Sequence, residues 1–454
     1  MDTIVDYLSS YAVDMSYDSL PKEVVHRAKQ ITVDALGCGL GAFNTDAGRI
    51  VREVASAVTL KQHGATILGT GHKTTADLAA FANGTMVRYL DFNDAYMGSD
   101  AGHPSDQIPI ILAAAEAAGA DGRTTVAGIV LAYEVQCRLV DAASIRPRGW
   151  DQGTYGGIAS AAGVARVMGL SKREAYNAIS LAATTSVALG QARYGTLSMW
   201  KGAAVPYAGR TGVFACLLAQ RGMTGPDPAF QGKAGFFAAV VERPFTLGPF
   251  GGGGHAYKIM ESRIKRFPSG YHSQAVAEAA LALRPKIGRP EDVREILLEI
   301  HHHAIDVMAG DEEKWKPATR ETADHSIPFV IAMALTYGDI RLEDYEEGRY
   351  LDPGIRETMS KVKVRESEES NRAWPEATLT DLAVTMRDGS RHALRVSYHR
   401  GHYKNPMTDQ ELEAKFRSLA NKVLPPRQIS AALECMWHLE DAKDIGSLMA
   451  SLKA

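Results

Sequence analysis

The sequence predicts a mainly α protein, with a large all-helical domain and a smaller α+β domain inserted into it. Three observations support this prediction: Ala-rich apolar stretches up to about residue 240, β-rich segments after a Gly/Pro-rich stretch at 247–257, and a final return to helical periodicity. The chain has 454 residues, enough for two or three domains. We expect the helical domain to span 1–260, completed by 403–454, and the α+β domain to span 261–402.

The apolar segments of the first part are too long and too rich in alanine to be strands, and their small residues suit close helix packing. A last helix is expected after Thr408, which can form a capping box with Glu411. The helices expected in the first part cover 24–42, 77–90, 108–120, 125–143, 172–189 and 209–222.

The middle of the chain combines strand-like and helical segments. A strand is expected within 293–304, and two β-rich runs at 379–400 predict a hairpin that turns at 387–390. Helices are expected at 272–283 and 321–337. This mixture is typical of an α+β domain.

Composition and charge exclude several classes of protein. The formal net charge is −3 and no long basic block occurs, so we do not expect nucleic acid as a partner. The N-terminal segment lacks the basic region of a targeting peptide, and no run of about 18 apolar residues occurs, so we expect a cytoplasmic protein without a membrane span. The cysteines are far apart in apolar stretches, which indicates reduced core thiols: Cys38, Cys137, Cys216 and Cys435.

The densest group of polar residues lies between two apolar helical segments and contains Asp91, Asp94, Asp100, His103 and Asp106. Carboxylates clustered beside a histidine suit proton transfer, because neighbouring charges separate their pKa values. A solvated loop with helix-capping aspartates is the alternative. The group lacks the ligands of a zinc site and the spacing of an EF-hand calcium loop, so we expect no metal.

Two further segments place basic residues among small or apolar ones. Lys265 and His272 flank a Pro/Gly turn that opens a helix, whose backbone N–H groups can also bind an anion. Lys201 and Arg210 interrupt an apolar stretch, so each needs a partner, either a substrate carboxylate or an internal acid. Exposed cations and a capping histidine are the alternative for the first segment. With these alternatives open, the segments suit a small polycarboxylate.

Two patterns, a run of histidines and a run of glycines, are not interpreted as a metal site or a nucleotide site. If His301–His303 lie on a strand, alternate side chains point to opposite faces. At most His301 and His303 then share a face, which is too few histidines for a metal site. Gly251–Gly254 lacks the spacing of a nucleotide-binding glycine motif, so we expect a flexible loop.

These polar segments resemble the 2-methylcitrate dehydratase (MmgE/PrpD) family, and the resemblance extends over essentially the whole chain. The family motifs occur in the family's order: Y-L-D-F-N-D containing Asp91, G-H-P-S-D containing His103, K-x8-R from Lys201 to Arg210, K-R-F-P-x-x-x-H-S-Q from Lys265 to Gln274, and A-D-H-S-I-P-F at 323–329.

The resemblance implies a cofactor-free enzyme, usually a homodimer, in which the α+β domain closes as a lid over the active site. Family members dehydrate 2-methylcitrate to 2-methyl-cis-aconitate in propionate catabolism, decarboxylate cis-aconitate or epimerise iminodisuccinate, and the motifs favour the dehydratase. Carried onto this sequence, the family's active-site residues are Asp91, His103, Lys201, Lys265 and His272, with Asp94 alongside.

Dehydration of a hydroxy polycarboxylate needs a base for a C–H proton and an acid for the departing hydroxyl. An iron–sulfur cluster, the alternative Lewis acid, would need grouped thiolates, and the cysteines are scattered. We therefore expect general acid/base catalysis without a cofactor. Carboxylate binding and charge stabilisation are assigned to Lys201, Arg210 and Lys265. Proton transfer is assigned to Asp91, His103 and His272, with Asp94 beside them, and each can be the acid or the base.

One departure from the family lies at 149–152, where relatives carry a histidine and this chain does not. Asp151 or Gln152 takes that place, depending on a one-residue choice of alignment, and Ala95 stands where relatives often have Thr. Two alternatives therefore stay open: a cis-aconitate-type decarboxylase or epimerase of the same family, and a catalytically inactive polycarboxylate-binding protein.

Overall fold

The computed structural model describes residues 2–454. Helices contain 58% of the residues and strands 10%, so the predicted mainly α fold with a smaller α+β part is confirmed. None of the helices within residues 2–454 combines the length and apolarity that crossing a bilayer requires.

The first part of the chain is a stack of helices with two short antiparallel strand pairs at its loops. The helices are α1 Thr3–Asp14, α2 Lys22–Gly41, α3 Asp46–Ala55, α4 Ala76–Tyr89, α5 Gln107–Ala118, α6 Gly122–Ala142, α7 Gly153–Val167, α8 Lys172–Thr185, α9 Trp200–Gln220 and α10 Phe236–Ala239. The strands are β1 Ala65–Thr66 paired with β2 Lys73–Thr74, and β3 Tyr96–Met97 paired with β4 Ala101–Gly102.

All six helices expected in this part are present, but two features differ from the prediction. Helices α1, α3, α7 and α10 have no counterpart in the predicted set, and α9 begins at Trp200 instead of 209. Pro206 lies inside α9, where proline normally breaks a helix because it lacks an N–H group and clashes with the preceding turn. Its ring packs against Gly84 of α4, where a Cβ atom would lie 2.9 Å from Pro206 Cβ. Packing against α4 therefore offsets the missing hydrogen bond.

The middle of the chain contains a four-stranded sheet covered by helices. The strands are β5 Val293–Ile300, β6 Val362–Glu366, β7 Thr380–Met386 and β8 Arg391–Val396, in the order β6-β5-β7-β8. Strands β5 and β6 are parallel and the other pairs antiparallel. The helices are α11 Gln274–Leu283, α12 His302–Ala309, α13 Glu312–Trp315, α14 Arg320–Ala323, α15 Ile327–Tyr337, α16 Leu342–Glu346, α17 Pro353–Ser360 and α18 Glu368–Ala373.

The β7–β8 hairpin turns over 387–390, as predicted, but the three adjacent histidines do not lie on a strand. Strand β5 ends at Ile300, and His301 caps α12 by accepting a hydrogen bond at Nδ1 from the Ala304 N–H, 3.3 Å away. The argument that alternate histidines point to opposite faces was therefore wrong.

Buried apolar side chains form one large cluster in the first part of the chain and a second cluster over residues 267–396. The C-terminal helices α19 Asp409–Ala420, α20 Pro426–Trp437 and α21 Gly446–Ser451 join the first cluster. Helix α19 begins with the predicted capping box between Thr408 and Glu411, and it packs on α2.

Close packing between α7 and α9 yields a stability prediction. A Cβ atom at Gly212 of α9 would lie 2.7 Å from the carbonyl oxygen of Gly157 and 2.8 Å from Ser160 Cβ, both in α7. Backbone atoms cannot move aside locally, so Gly212→Val should destabilise the protein by about 1–3 kcal/mol. Thermal unfolding followed by circular dichroism should show a lower midpoint.

The matched control is Gly248→Val, because no atom lies within 4 Å of a Cβ built at Gly248. This variant should unfold at the wild-type temperature. Equal midpoints for the two variants would contradict the proposed packing constraint.

Candidate active site

A buried carboxylate, that of Asp91, lies at the centre of the polar cluster. Asp91 follows α4, and its backbone has φ +51°, a left-handed conformation that costs energy for a residue with a Cβ atom. Its oxygens lie 3.0 Å from Arg88 Nη1 and 3.1 Å from Lys201 Nζ, and they also accept a hydrogen bond from Lys265. Lys265 Nζ donates a second bond to the Asp91 main-chain oxygen, at 2.9 Å. Three cations therefore surround one carboxylate.

Charge determines the protonation state of this group. Burial alone would raise the pKa of Asp91, but Arg88, Lys265 and Lys201 outweigh it and hold that pKa well below its usual value. Burial lowers the pKa of Lys265 to about 8, although Asp91 opposes the shift. Asp91 is consequently an anion at neutral pH, and it suits a counter-ion better than a base.

Sequence reasoning missed two residues that complete the cluster, Asp324 and His325. They connect α14 to α15. Asp324 Oδ1 lies 2.7 Å from Lys201 Nζ, and His325 Nε2 lies 3.1 Å from Asp91 Oδ2. Both residues are in the A-D-H-S-I-P-F segment, so the motif was recognised without any role for these side chains.

The ligand atoms of Asp91, Asp324 and His325 lie within 4.8 Å of one another, close enough for a metal ion. The Lys201 ammonium, however, lies 3.1 Å from Asp91 and 2.7 Å from Asp324. This fixed cation stands where a metal would bind, so the geometry fits a buried ion-pair network better than a metal centre.

His103 offers a free imidazole nitrogen. Its Nδ1 lies 2.5 Å from the Asp94 main-chain oxygen, and because a carbonyl only accepts, Nδ1 carries the proton and Nε2 keeps its lone pair. Burial lowers the pKa of His103 well below its usual value, and Arg88 and Lys265 lower it further. The ring is therefore neutral at pH 7, and its Nε2 can accept a proton.

Asp94, which the sequence placed beside the catalytic groups, has another environment. Its Oδ1 accepts from the Ser105 N–H at 3.0 Å and its Oδ2 from the Tyr133 hydroxyl at 2.9 Å. The side chain is fully buried and is not among the residues that line the cavity around Asp91. It holds the loop that carries His103.

His272 lines the same cavity from the start of α11, and it is only 5% exposed. Its ring centre lies 5.2 Å from that of His301, 5.0 Å from His303 and 5.1 Å from Trp374. Burial lowers the pKa of His272 well below its usual value, and the two neighbouring imidazoles lower it further. Within residues 2–454 its Nδ1 is buried and has no hydrogen-bond partner.

Two of the three predicted carboxylate-binding residues do not line the cavity. Lys265 contacts Asp91 without being part of the lining, and Arg210 is not brought to the cavity at all. It lies nine residues after Lys201 in α9, about 13 Å along the axis, and its Nε is 2.9 Å from Asp77 Oδ2. An internal acid was one of the two partners expected for Arg210, and Asp77 is that acid. Three other arginines line the cavity instead: Arg88, Arg146 and Arg193.

The two candidates for the place of the absent family histidine, Asp151 and Gln152, have different surroundings. The Gln152 side chain lines the cavity and accepts the His103 N–H at 2.8 Å. Asp151 lies 2.7 Å from Arg193 Nε and accepts the Gly153 N–H at the start of α7. Gln152 is therefore the residue that faces a ligand, while Asp151 orients Arg193.

The cavity has a volume of about 70 Å³, room for two or three waters at about 30 Å³ each. Its charged lining contains four cations and one carboxylate, which suits an anionic ligand. The polar lining residues are Arg88, Asp91, His103, Arg146, Gln152, Arg193, Lys201, His272 and His325.

Two 2-methylcitrate dehydratases and a cis-aconitate decarboxylase are among the proteins similar to this chain over most of its length. A 2-methylcitrate dehydratase of Cupriavidus necator is 29% identical over 462 residues, covering 95% of this chain and 91% of that protein. A 2-methylcitrate dehydratase of Salmonella typhimurium is 29% identical, with 95% and 92% covered. A cis-aconitate decarboxylase of Homo sapiens is 26% identical, with 96% and 91% covered.

Family models extend this similarity to both parts of the chain. The MmgE/PrpD N-terminal domain matches residues 6–247, and the MmgE/PrpD C-terminal domain matches residues 267–440. Together the two matches cover most of the sequence, including every polar residue that lines the cavity. The chain therefore belongs to the MmgE/PrpD family.

Proposed function

We propose that this protein is a cofactor-independent hydro-lyase that dehydrates a hydroxy polycarboxylate such as 2-methylcitrate to 2-methyl-cis-aconitate. The observation that carries the proposal is the neutral His103, whose free Nε2 belongs to a cavity walled by buried cations. The names of the similar proteins from Cupriavidus necator and Salmonella typhimurium support the same reaction class.

In the proposed mechanism, His103 Nε2 removes the proton from the carbon next to a substrate carboxylate. Lys201 and Lys265 stabilise the enediolate charge that develops, and Asp91 holds both ammonium groups in place. An anionic ligand beside His272 raises the pKa of that imidazole, so that it binds a proton. The hydroxyl leaves with this proton as water, while the electrons of the broken C–H bond form the new C=C bond.

The cavity lining also fits the shape of such a substrate. Arg146 and Arg193 can bind further carboxylates, since both line the cavity beside Lys201. Met97, Leu197 and Met308 also line the cavity and can cover a methyl or methylene group. A lining that combines cations with apolar side chains favours a small branched polycarboxylate.

We further propose that residues 261–402 act as a lid over a helical domain formed by 1–260 and 403–454. Two observations support this: residues 267–396 have their own buried apolar cluster, and a 70 Å³ cavity is too small for a tricarboxylate unless the walls separate.

Pairing of two copies is supported by an exposed stripe on α9, where Trp200, Tyr207 and Phe214 are 48%, 49% and 52% exposed. The free thiols fit a cytoplasmic location.

The direct test is to incubate the protein with 2-methylcitrate, citrate, cis-aconitate and iminodisuccinate while following alkene absorbance, CO₂ release and optical rotation. New absorbance from a hydroxy acid supports the proposed dehydratase. CO₂ from cis-aconitate alone would identify a decarboxylase, and stereochemical inversion of iminodisuccinate an epimerase. Binding without turnover would identify a polycarboxylate-binding protein that has lost its chemistry.

His103→Asn should lower kcat by about 100-fold or more, the usual scale for a positioned proton-transfer group, because no base then faces the substrate. Steady-state kinetics measures the loss, and circular dichroism checks the fold. His302→Asn is the matched control, since that side chain is 70% exposed and pairs with Glu366. A near-normal rate for His103→Asn would transfer the role of base to Asp91 with His272.

Lys201→Met should raise KM and lower kcat, because a lost charge-assisted contact to a carboxylate costs roughly 1.5–3 kcal/mol. Arg210→Met, on the same helix, should leave both constants unchanged because Arg210 pairs with Asp77 outside the cavity. Equal losses in the two variants, measured with the same substrate, would place Arg210 in the site after all.

Activity should also decline at alkaline pH. The pKa of Lys265 is lowered to about 8, so its stabilising charge is present below that pH and lost above it. We expect kcat/KM to begin to fall near pH 8. Once most of Lys265 is deprotonated, kcat/KM should fall tenfold for each further pH unit. Lys265→Arg should move the limb upward, since a guanidinium stays protonated. A wild-type profile that is flat to about pH 10, the usual lysine range, would contradict the assignment.

A further inference from the structure

A lysine from the C-terminal helix α19 reaches the backbone behind the candidate active site. Lys415 Nζ donates to the main-chain oxygen of Phe92 at 2.7 Å and to that of Lys265 at 2.8 Å. It also lies 2.6 Å from Asp34 Oδ1, on α2. The side chain is only 7% exposed, and its ammonium is paired through two hydrogen bonds to carbonyl oxygens and an ion pair with Asp34. Such complete pairing is what a buried charge requires.

The two carbonyls belong to the segments that carry the central ion pair. Phe92 directly follows Asp91, and Lys265 is itself the partner of Asp91, 174 residues away in sequence. Both segments are irregular backbone at these positions, without a helix or strand ladder to fix them. A single bridge between Ala95 and Arg263 also joins the segments, two to four residues from the pair. A hydrogen bond from the Ser262 hydroxyl to Asp94 Oδ2 is a second connection. Lys415 provides a third, directly at Phe92 and Lys265.

We propose that Lys415 is a positioning residue, which clamps the Phe92 and Lys265 carbonyls so that the Lys265 ammonium stays on the Asp91 carboxylate. The consequence for catalysis rests on the proposed function, because it assumes that this ion pair acts on the substrate. Lys415 itself does not line the cavity. Its effect on the reaction therefore passes through the backbone of the two segments.

An alternative role for Lys415 is to neutralise the buried charge of Asp34. Variants of both residues separate this role from the positioning of the Phe92 and Lys265 carbonyls. Asp34 is buried, so Lys415→Met alone would leave an unpaired carboxylate and could unfold the protein for that reason. Asp34→Asn removes the carboxylate charge while both carbonyl bonds of Lys415 remain. The double variant Asp34→Asn/Lys415→Met then removes the clamp without leaving a buried unpaired charge.

Steady-state kinetics on Asp34→Asn and on the double variant tests the proposal. Asp34→Asn should keep the wild-type kcat. The double variant should lose about 10- to 100-fold in kcat, the cost of a catalytic group displaced by about 1 Å. Its KM should change less, since Arg146, Arg193 and Lys201 stay in place. A purely structural role would lower the unfolding temperature and leave kcat of the folded enzyme at the Asp34→Asn value, which would overturn the proposal.

Two additions make the result decisive. If the double variant does not fold, Asp34→Asn/Lys415→Gln replaces it: glutamine keeps a buried donor, but it is one bond shorter and should show the same kcat loss. Crystal structures of Asp34→Asn and the double variant give a readout that needs no turnover. A longer distance from Lys265 Nζ to Asp91 supports the clamp even if no tested acid is a substrate, whereas an unchanged distance overturns it.

Discussion

The candidate site depends on one buried carboxylate that compensates several buried cations. Arg88, Lys201 and Lys265 all contact Asp91, and each would be costly to bury alone. These groups come from α4, α9 and the segment before α11, so the ion pairs also fix three parts of the chain relative to one another. Removing one member of such a buried network leaves uncompensated charge, which costs several kcal/mol. The network therefore sets both the geometry of the cavity and its charge.

Burial is the main reason why the histidines around the cavity are neutral, because it lowers the pKa values of His103, His272 and His325. The network acts in the same direction on two of them, since a cation beside an imidazole disfavours its protonated form: Arg88 and Lys265 for His103, and Lys201 for His325. Neutral imidazoles can accept protons, while the lysines remain charged to stabilise an anion. The site thus separates the two tasks of proton transfer and charge stabilisation between residue types.

The sequence predicted the fold class and much of the site because both depend on local patterns. Apolar periodicity located six helices, and polar residues in apolar surroundings located Asp91, His103, Lys201, Lys265 and His272. Patterns along the chain do not show pairing in space, so Arg210 appeared to be a ligand contact although Asp77 of α4 neutralises it. For the same reason, Asp324 and His325 attracted no role, because their partner Lys201 is more than 120 residues away. The polar segment that contains Asp91 also contains Asp94, but only the structure shows that this side chain holds the loop of His103 and does not line the cavity.

The contacts of Lys415 also have a consequence for the time at which the site can form during synthesis. Lys415 and Phe92 are 323 residues apart, which at about 5–20 residues per second corresponds to roughly 15–65 s of translation. Until α19 leaves the ribosome, the face of α2 that it covers stays exposed, and the Phe92 and Lys265 carbonyls lack their shared donor. The nascent helical part must therefore persist for that interval with an uncovered apolar face, the kind of surface that chaperones bind.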